Sequence, residues 1–316
     1  MTTVLVIRHG ALGDFVLSLG AMQAIRRHHA GARLVLLTTA PFVGLARATG
    51  LFDDVLVDDR PGWTRPLALF ALVRRLAALR PVRVYDLQTS DRSGLYFRLW
   101  PRPRPEWSGI ARGCSHPDPD PRRDFIHTLD RQVGQLRAAG IACVPAPDVG
   151  FARDADAPPG LPARYGVIVP GGAAHRPEKR WPVEGFAAAA VHLAATGIVP
   201  VVLGAPADGD LATAIRATCP QAIDLTGRTD LPGLVAVARS AVLGLGNDTG
   251  PMHVVAACGR PALVLFSHAS DPALCAPRGD RVVVIRRPDL ADLAPATVLA
   301  ALDELRASLT GPLGDT

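Results

Sequence analysis

What most constrains this chain is an alternation that runs through it twice. Short Leu-, Val- and Ile-rich runs, "TVLVIRH" (3–9), "ARLVLLTT" (32–39), "DVLVDD" (54–59) and "VRVYDLQ" (82–88), alternate with helical-period segments at about 14–28 and 66–78, and a long helix at about 124–139 closes the series. A strand buried on both faces reads as a nearly continuous apolar run, and returning helices must cover both faces, so the pattern predicts a parallel sheet. The alternation restarts with "YGVIVPGG" (165–172), "VPVVLGAP" (199–206), "AIDLTG" (222–227), "AVLGLG" (241–246), "ALVLFS" (262–267) and "RVVVIRR" (281–287), with helices expected at about 183–196, 209–217, 231–240 and from Gly250. Between the two series, residues 142–165 are rich in Pro, Ala and Asp and carry no period, which marks a linker. The expectation is an α/β chain of two doubly wound Rossmann-like domains, 1–150 and 151–316, facing a central cleft, with ligands beyond the carboxyl ends of the strands. The C-terminal helix is left free to pack back on the N-terminal domain, and the tail from Gly311 is expected to fray.

Composition narrows the function. At 316 residues, 48% hydrophobic and 20% charged, the chain exceeds one ordinary core and is not disordered or fibrous. No uninterrupted apolar run reaches a bilayer span, and "MTTVLVIRHG" has no basic head leading into a long apolar segment, so a cytoplasmic location is expected. Five cysteines, widely spaced and with no C-x-x-C pair, suggest reduced packing residues and neither a disulfide framework nor a zinc site. A net charge of +5 favours anionic partners without separating nucleic acid, phosphorylated sugars and a membrane face. Of 34 basic residues, Lys179 alone is a lysine, which singles out a place where a compact ammonium suits better than a planar fork.

Three segments could carry chemistry. In "IRHGALGDFVLSLG", Gly10 and Gly13 allow a tight turn and Asp14 falls near a helix start, either as its cap or as a general base. The spacing matches neither a dinucleotide fingerprint nor a Walker loop. In "PGGAAHRPEKRWPVEGF", Lys179 sits in a loop after Gly171-Gly172, either as a solvated charge or as a point charge for a diphosphate. In "GLGNDTGPMHVVAACGRPALVLF", Asp248 and Thr249 leave a buried strand and Pro251 lies early in the next helix. Amides around Thr249 to Met252 are expected to be free for phosphate oxygens, while Asp248 either accepts from sugar hydroxyls or orients Lys179, and His253 reads as a packed core histidine.

The segments "RHGALGDFVLSLGAMQAIR", "VPGGAAHRPEKRWPVEGFAAAA", "LTGRTDLPGLVAVARSA" and "LGNDTGPMHVVAACGRPALVLF" resemble, in the same order, those of glycosyltransferase family nine, the ADP-heptose:lipopolysaccharide heptosyltransferases. The resemblance implies a GT-B fold, an inverting mechanism, an ADP-activated heptose donor on the C-terminal half and a phosphorylated or anionic glycolipid acceptor on the N-terminal half. It makes Asp14 the general base beside Gly13 on the acceptor side, Lys179 the phosphate-binding lysine and Asp248, Thr249 and Gly250 the donor-site turn. Asp208, with Asp210 second, is the implied ribose partner. The chain departs from the family after its last buried strand, where Ser267-His268-Ala269-Ser270-Asp271-Pro272 replaces a shorter Gly-Pro turn near the donor.

The triplets Asp118-Pro-Asp120, Asp154-Ala-Asp156 and Asp208-Gly-Asp210 read as solvated turns, so no metal is expected and no cofactor is needed. "FRLWPRPRPEWSGIARG" (97–113) reads as a Pro-rich loop whose Arg102, Arg104 and Arg112 suit acceptor phosphates, with peripheral contact to the inner membrane and no nucleic acid expected. Two other readings stay open: a sugar-nucleotide epimerase of similar architecture, and a non-catalytic nucleotide-sugar or lipid binder.

Overall fold

A computed structural model describes residues 1–62, 65–152, 157–173 and 175–307. The chain divides into two compact units, Met1–Phe151 and Ala152–Thr316. In the first, strands β1 (Thr3–Ile7), β2 (Arg33–Thr38), β3 (Asp54–Val57), β4 (Arg83–Asp86), β5 (Glu106–Gly109) and β6 (His116–Pro117) form one parallel sheet in the order β3-β2-β1-β4-β5-β6. Its helices are α1 (Leu12–Leu17), α2 (Leu19–His28), α3 (Val43–Ala48), α4 (Pro66–Ala78), α5 (Asp91–Leu99) and α6 (Thr128–Ala138).

The second unit repeats the plan with β7 (Tyr165–Val169), β8 (Val199–Val202), β9 (Ile223–Asp224), β10 (Gly244–Asn247), β11 (Ala262–Phe266) and β12 (Val282–Arg286), ordered β12-β11-β10-β7-β8-β9. Its helices are α7 (Val183–Ala195), α8 (Gly209–Thr218), α9 (Leu231–Ser240), α10 (Gly250–Ala257), α11 (Pro272–Cys275) and α12 (Pro295–Ala307). In each sheet the strand order reverses between the unit's first and fourth strands, β1 and β4 in one and β7 and β10 in the other. Such a reversal leaves a crevice beyond the carboxyl ends of those two strands.

The expected apolar runs form the cores. In the first unit Leu5, Ile7, Val35, Leu37 and Val84 of the central strands pack on Val73 and Leu76 of α4 and on Tyr96 and Phe97 of α5. In the second, Ile168, Val202, Leu245 and Leu263 meet Phe186 and Leu193 of α7. Each such side chain contributes roughly 1.5–3 kcal/mol by leaving water.

Three local expectations change. The helix expected over 14–28 is two helices meeting at Ser18, whose hydroxyl donates to the Asp14 carbonyl at 2.8 Å and accepts from Gln132 at 2.8 Å, a back-bond that bends a helix. The helix expected from residue 124 starts at Thr128 after a single 3₁₀ turn, Arg123–Phe125. The supposed loop 97–113 contains the end of α5 and, after a connecting loop over 100–105, the sheet strand β5, with Phe97, Trp100, Trp107 and Ala111 in the core. The last helix, α12, places Val298, Leu302 and Leu305 in the core of the second unit. Trp63, Thr64, residues 153–156 with the Asp154–Asp156 triplet, Ala174 and the tail from 308 lie outside the described residues.

Candidate active site

At the crevice end of the second sheet, three consecutive side chains of "KRW" each take a different partner. Lys179 Nζ donates to Asp248 Oδ2 at 2.6 Å, Arg180 donates to the Gly172 carbonyl at 2.7 Å, and the Trp181 indole donates to the Leu293 carbonyl at 2.9 Å. The Trp181 amide also donates to Asn247 Oδ1 at 3.0 Å. Asn247 closes the assembly, because its side-chain amide donates back to the carbonyls of Pro170 and Gly171 at 2.8 and 3.2 Å. One buried Asn thus ties the end of β7, the Lys179 turn and the end of β10 together, and satisfying every polar group is what lets it sit in the interior.

The same Asp248 Oδ2 that holds Lys179 also accepts from Ser270 Oγ at 2.7 Å. Their side chains are only 14% and 8% exposed, so the pair is fixed before any ligand arrives. Of the two roles left open for Asp248, the geometry supports orienting Lys179. Thr249 has extended backbone (φ −152°, ψ 160°) and stands at the N-cap of α10, but its hydroxyl makes no capping bond, which leaves it available. The run of free amides is shorter than expected, since the Met252 N–H donates to the Thr249 carbonyl at 3.0 Å. Gly250, in the helix's first turn, offers an amide that the helix ladder does not use. His253 is buried, as a packed core histidine should be.

Asp208 lies at the ends of β7 and β8. Its Oδ2 accepts from the Ala205 amide at 2.8 Å, and the carboxylate sits so close to Gly171 that a Cβ there would stand 2.5 Å from it. Gly171 is therefore required by close approach, and Asp208 shapes the crevice floor, while Asp210 is exposed on the first turn of α8.

At the crevice end of the first sheet, Asp14 is the third residue of α1, where its side chain takes the capping-box part by reaching back to the N-cap amide. Oδ2 accepts weakly from the Ala11 amide at 3.3 Å, and Oδ1 meets Arg8 Nη2 at 3.1 Å. Arg8 is the buried partner, at 6% exposed against 46% for Asp14, and its Nη1 donates to the Leu87 carbonyl at 2.7 Å. Burial draws the Arg8 pKa below the ordinary arginine value, against the opposing charge of Asp14 and with the help of Arg131. Gly10 has φ +121° and a Cβ there would stand 2.1 Å from the Phe42 ring, so only glycine makes the turn that delivers α1. Gly13 is buried beside Asp14.

Sequence reasoning missed the buried polar groups beneath this crevice. Asp58 accepts from Tyr96 and pairs with Arg92 and His9, both at 3.1 Å. Burial alone would raise the Asp58 pKa, but hydrogen bonds from His9, Arg92 and Tyr96 hold it well below the carboxylate range. Asp86, at the end of β4, goes the other way: burial pushes it up to about 6, against bonds from Ser93 and the Thr89 amide.

The arginines expected to bind acceptor phosphates are scattered in role. Arg102 and Arg112 are exposed, whereas Arg104 stacks on Phe97 at 4.7 Å and donates to the Arg98 carbonyl at 3.0 Å, pinning its own segment. Of the carboxylate triplets, Asp118 is buried against Arg123 at 2.9 Å and Asp120 pairs with Arg122. Among the described residues no group of three or more His, Cys, Asp or Glu side chains could hold a metal ion.

Comparison with known proteins fits this arrangement. The family model described as glycosyltransferase family 9 (heptosyltransferase) matches residues 142–297, which contain Lys179, Asn247, Asp248, Thr249 and Ser270. That match covers 156 of the 316 residues, just under half of the chain, and makes this segment similar to glycosyltransferase family 9. A lipooligosaccharide heptosyltransferase 2 of Haemophilus influenzae is 28% identical over 159 residues, 43% of this chain and 46% of that protein, so the match spans about half the length of this curated relative. The solved ADP-heptose lipopolysaccharide heptosyltransferase II of Escherichia coli shares the fold with a TM-score of 0.78 at 21% identity, covering 98% of this chain and all of that one (100%). An Escherichia coli heptosyltransferase solved with ADP-2-deoxy-2-fluoro heptose gives 0.77 at 20% identity over 96% of this chain and 99% of its own. The fold is thus the GT-B type over nearly the whole chain.

Proposed function

We propose that this chain is an inverting glycosyltransferase that moves a heptose or similar sugar from an ADP-sugar to a phosphorylated or otherwise anionic glycolipid acceptor of the lipopolysaccharide-core kind. The observation that carries the reading is the second-unit corner, where a lone lysine is locked by Asp248 and Ser270 beside the Thr249–Gly250 turn. A fixed ammonium next to an unused helix-terminal amide and a hydroxyl suits a diphosphate better than any neutral ligand. The solved neighbour holding an ADP-sugar analogue supports adenine as the base.

In this mechanism the acceptor hydroxyl attacks the anomeric carbon from the face opposite the diphosphate, and the Asp14 carboxylate takes the hydroxyl proton. A carbon–oxygen bond forms to the acceptor as the one to ADP breaks, and ADP leaves with the electron pair. Lys179, Thr249 and Gly250 stabilise the charge gathering on the departing diphosphate, an effect of a few kcal/mol per donor. Arg8 is a positioning residue, buried and tied to the Leu87 carbonyl, that aims a half-exposed carboxylate outward. Asp208 shapes the donor floor, and Arg102 and Arg112 remain candidate acceptor contacts. The enzyme works at the cytoplasmic side of the membrane that carries its acceptor.

A binding panel of ADP, UDP, GDP and CMP with their sugars tests the donor, followed by product analysis with ADP-heptose. The reading expects stabilisation by ADP compounds and ADP release that depends on acceptor. Isomerised nucleotide sugar formed without acceptor would make the protein an epimerase, and ADP binding without turnover of any donor would make it a binding protein.

A further inference from the structure

Helix α4 carries two apolar sides. Leu69, Leu72, Val73 and Leu76 are buried in the first unit's core, the spacing expected of a surface helix. The opposite side should then be polar, yet it presents Leu67 at 83% and Phe70 at 48% exposure, with exposed Ala71 continuing the stripe. The stripe ends in exposed arginines, Arg74 and Arg75 in the last turns and Arg80 just beyond, and Arg65 stands before the helix. From residue 60 to residue 85 the sequence has no acidic residue. Asp59 borders the adjoining groove, which it shares with Arg65 and Arg75.

We propose that the outer side of α4 is a docking face for an anionic lipid bilayer. Leu67 and Phe70 enter the boundary between headgroups and acyl chains, and Arg65, Arg74 and Arg80 reach lipid phosphates. Exposed apolar side chains on a helix with a predominantly cationic rim, four arginines against Asp59, are what interfacial binding requires, since apolar burial and attraction to negative headgroups add. The same rim disfavours a second copy of this face, because arginine would meet arginine. The inference deepens the transferase reading by placing the first unit at the surface that presents a lipid-linked acceptor. It also moves the membrane contact away from residues 97–113, whose aromatic side chains are in the core. Among the described residues no helix is long and apolar enough to cross a membrane, so attachment through α4 is peripheral.

The test is co-sedimentation of the full chain with phosphatidylcholine vesicles, with and without phosphatidylglycerol. The wild type should bind the anionic vesicles and lose binding as salt rises. The double variant Leu67→Ser/Phe70→Ser should bind roughly tenfold or more weakly, with ADP binding and melting temperature unchanged, since both side chains face water in the free protein. Arg74→Gln/Arg80→Gln should weaken binding to the anionic vesicles alone. Absence of wild-type binding, equal binding by the Ser variant, or a dimer that the Ser variant dissolves would overturn the proposal. The vesicles hold no acceptor and the assay no donor, so failure here leaves the transferase reading standing. Conversely, absence of turnover on a delipidated acceptor would count against the transferase alone.

Discussion

The two crevices use the same pair of charges in opposite senses. In the first unit the cation is the buried member, Arg8 at 6% exposed, and the carboxylate of Asp14 is 46% exposed. In the second the carboxylate is the more buried member, Asp248 at 8%, and its Oδ2 accepts from both Lys179 and Ser270. One arrangement presents an oxygen base to incoming chemistry, and the other spends its carboxylate on fixing a cation. Both follow from the same strand order, so the difference lies in a few side chains at the strand ends and not in the fold.

The comparison breaks most readily at Asp14. Asp14→Asn should lower transfer by about 10²–10⁴-fold, as loss of a general base does, while calorimetric ADP binding stays within about twofold. If both fell together, Asp14 would belong to the donor site. Next in size, Asp248→Asn should cost on the order of 2–3 kcal/mol in urea unfolding, because it breaks a mostly buried ion pair and its Ser270 bond. It should also weaken ADP, since Lys179 is no longer held.

A pH series sharpens the contrast on the first unit's side. Asp86 has its folded pKa raised to about 6, so the folded protein holds that proton more tightly than the unfolded chain does. The stabilisation is complete below the unfolded carboxylate value and is lost as pH rises through about 6, on the order of 2–3 kcal/mol, then stays level. Asp58, held low, contributes stability above the unfolded value and loses it only in strong acid, whereas His29, lowered by burial to about 4, gains stability as pH rises through the same window and opposes Asp86. The Asp86 contribution is read as a difference: the stability of wild type relative to Asp86→Asn, from urea midpoints at several pH values, should fall as pH rises from 4 through about 6. Smallest of all, Ser270→Ala should cost about 1 kcal/mol of ADP affinity by removing one hydrogen bond to Asp248.

Much of this was legible beforehand because buried parallel strands announce themselves. Eleven residues such as Val4 to Ile7, Leu34 to Leu37 and Leu263 to Leu265 are fully buried in runs that could hardly be anything else. The segment around β5 was not, because Pro101, Pro103 and Pro105 with three arginines look like a solvent loop, while Trp100 and Trp107 are buried through contacts remote in sequence. Lys179 and Asp248 stood out as unusual residues at strand ends, yet their mutual bond spans 69 positions and has no local signal. Asn247 was passed over because it matters only through what it touches, although "GND" after an apolar run was the available hint, and Ser270 was visible only as part of the departing turn near the donor, with no local sign of its bond to Asp248. Arg8 was visible in "IRHG" but reads as a strand-end charge until its pairing with Asp14 is seen.

The central claim is that the Lys179 corner binds a diphosphate, and comparing ADP with AMP tests it most directly. Calorimetric titration of wild type should show ADP bound more tightly than AMP, and Lys179→Gln should lose tenfold or more of ADP affinity, the worth of a charge-assisted hydrogen bond, while AMP affinity is unchanged. A Lys179→Gln protein that kept the wild-type preference for ADP over AMP would contradict the account.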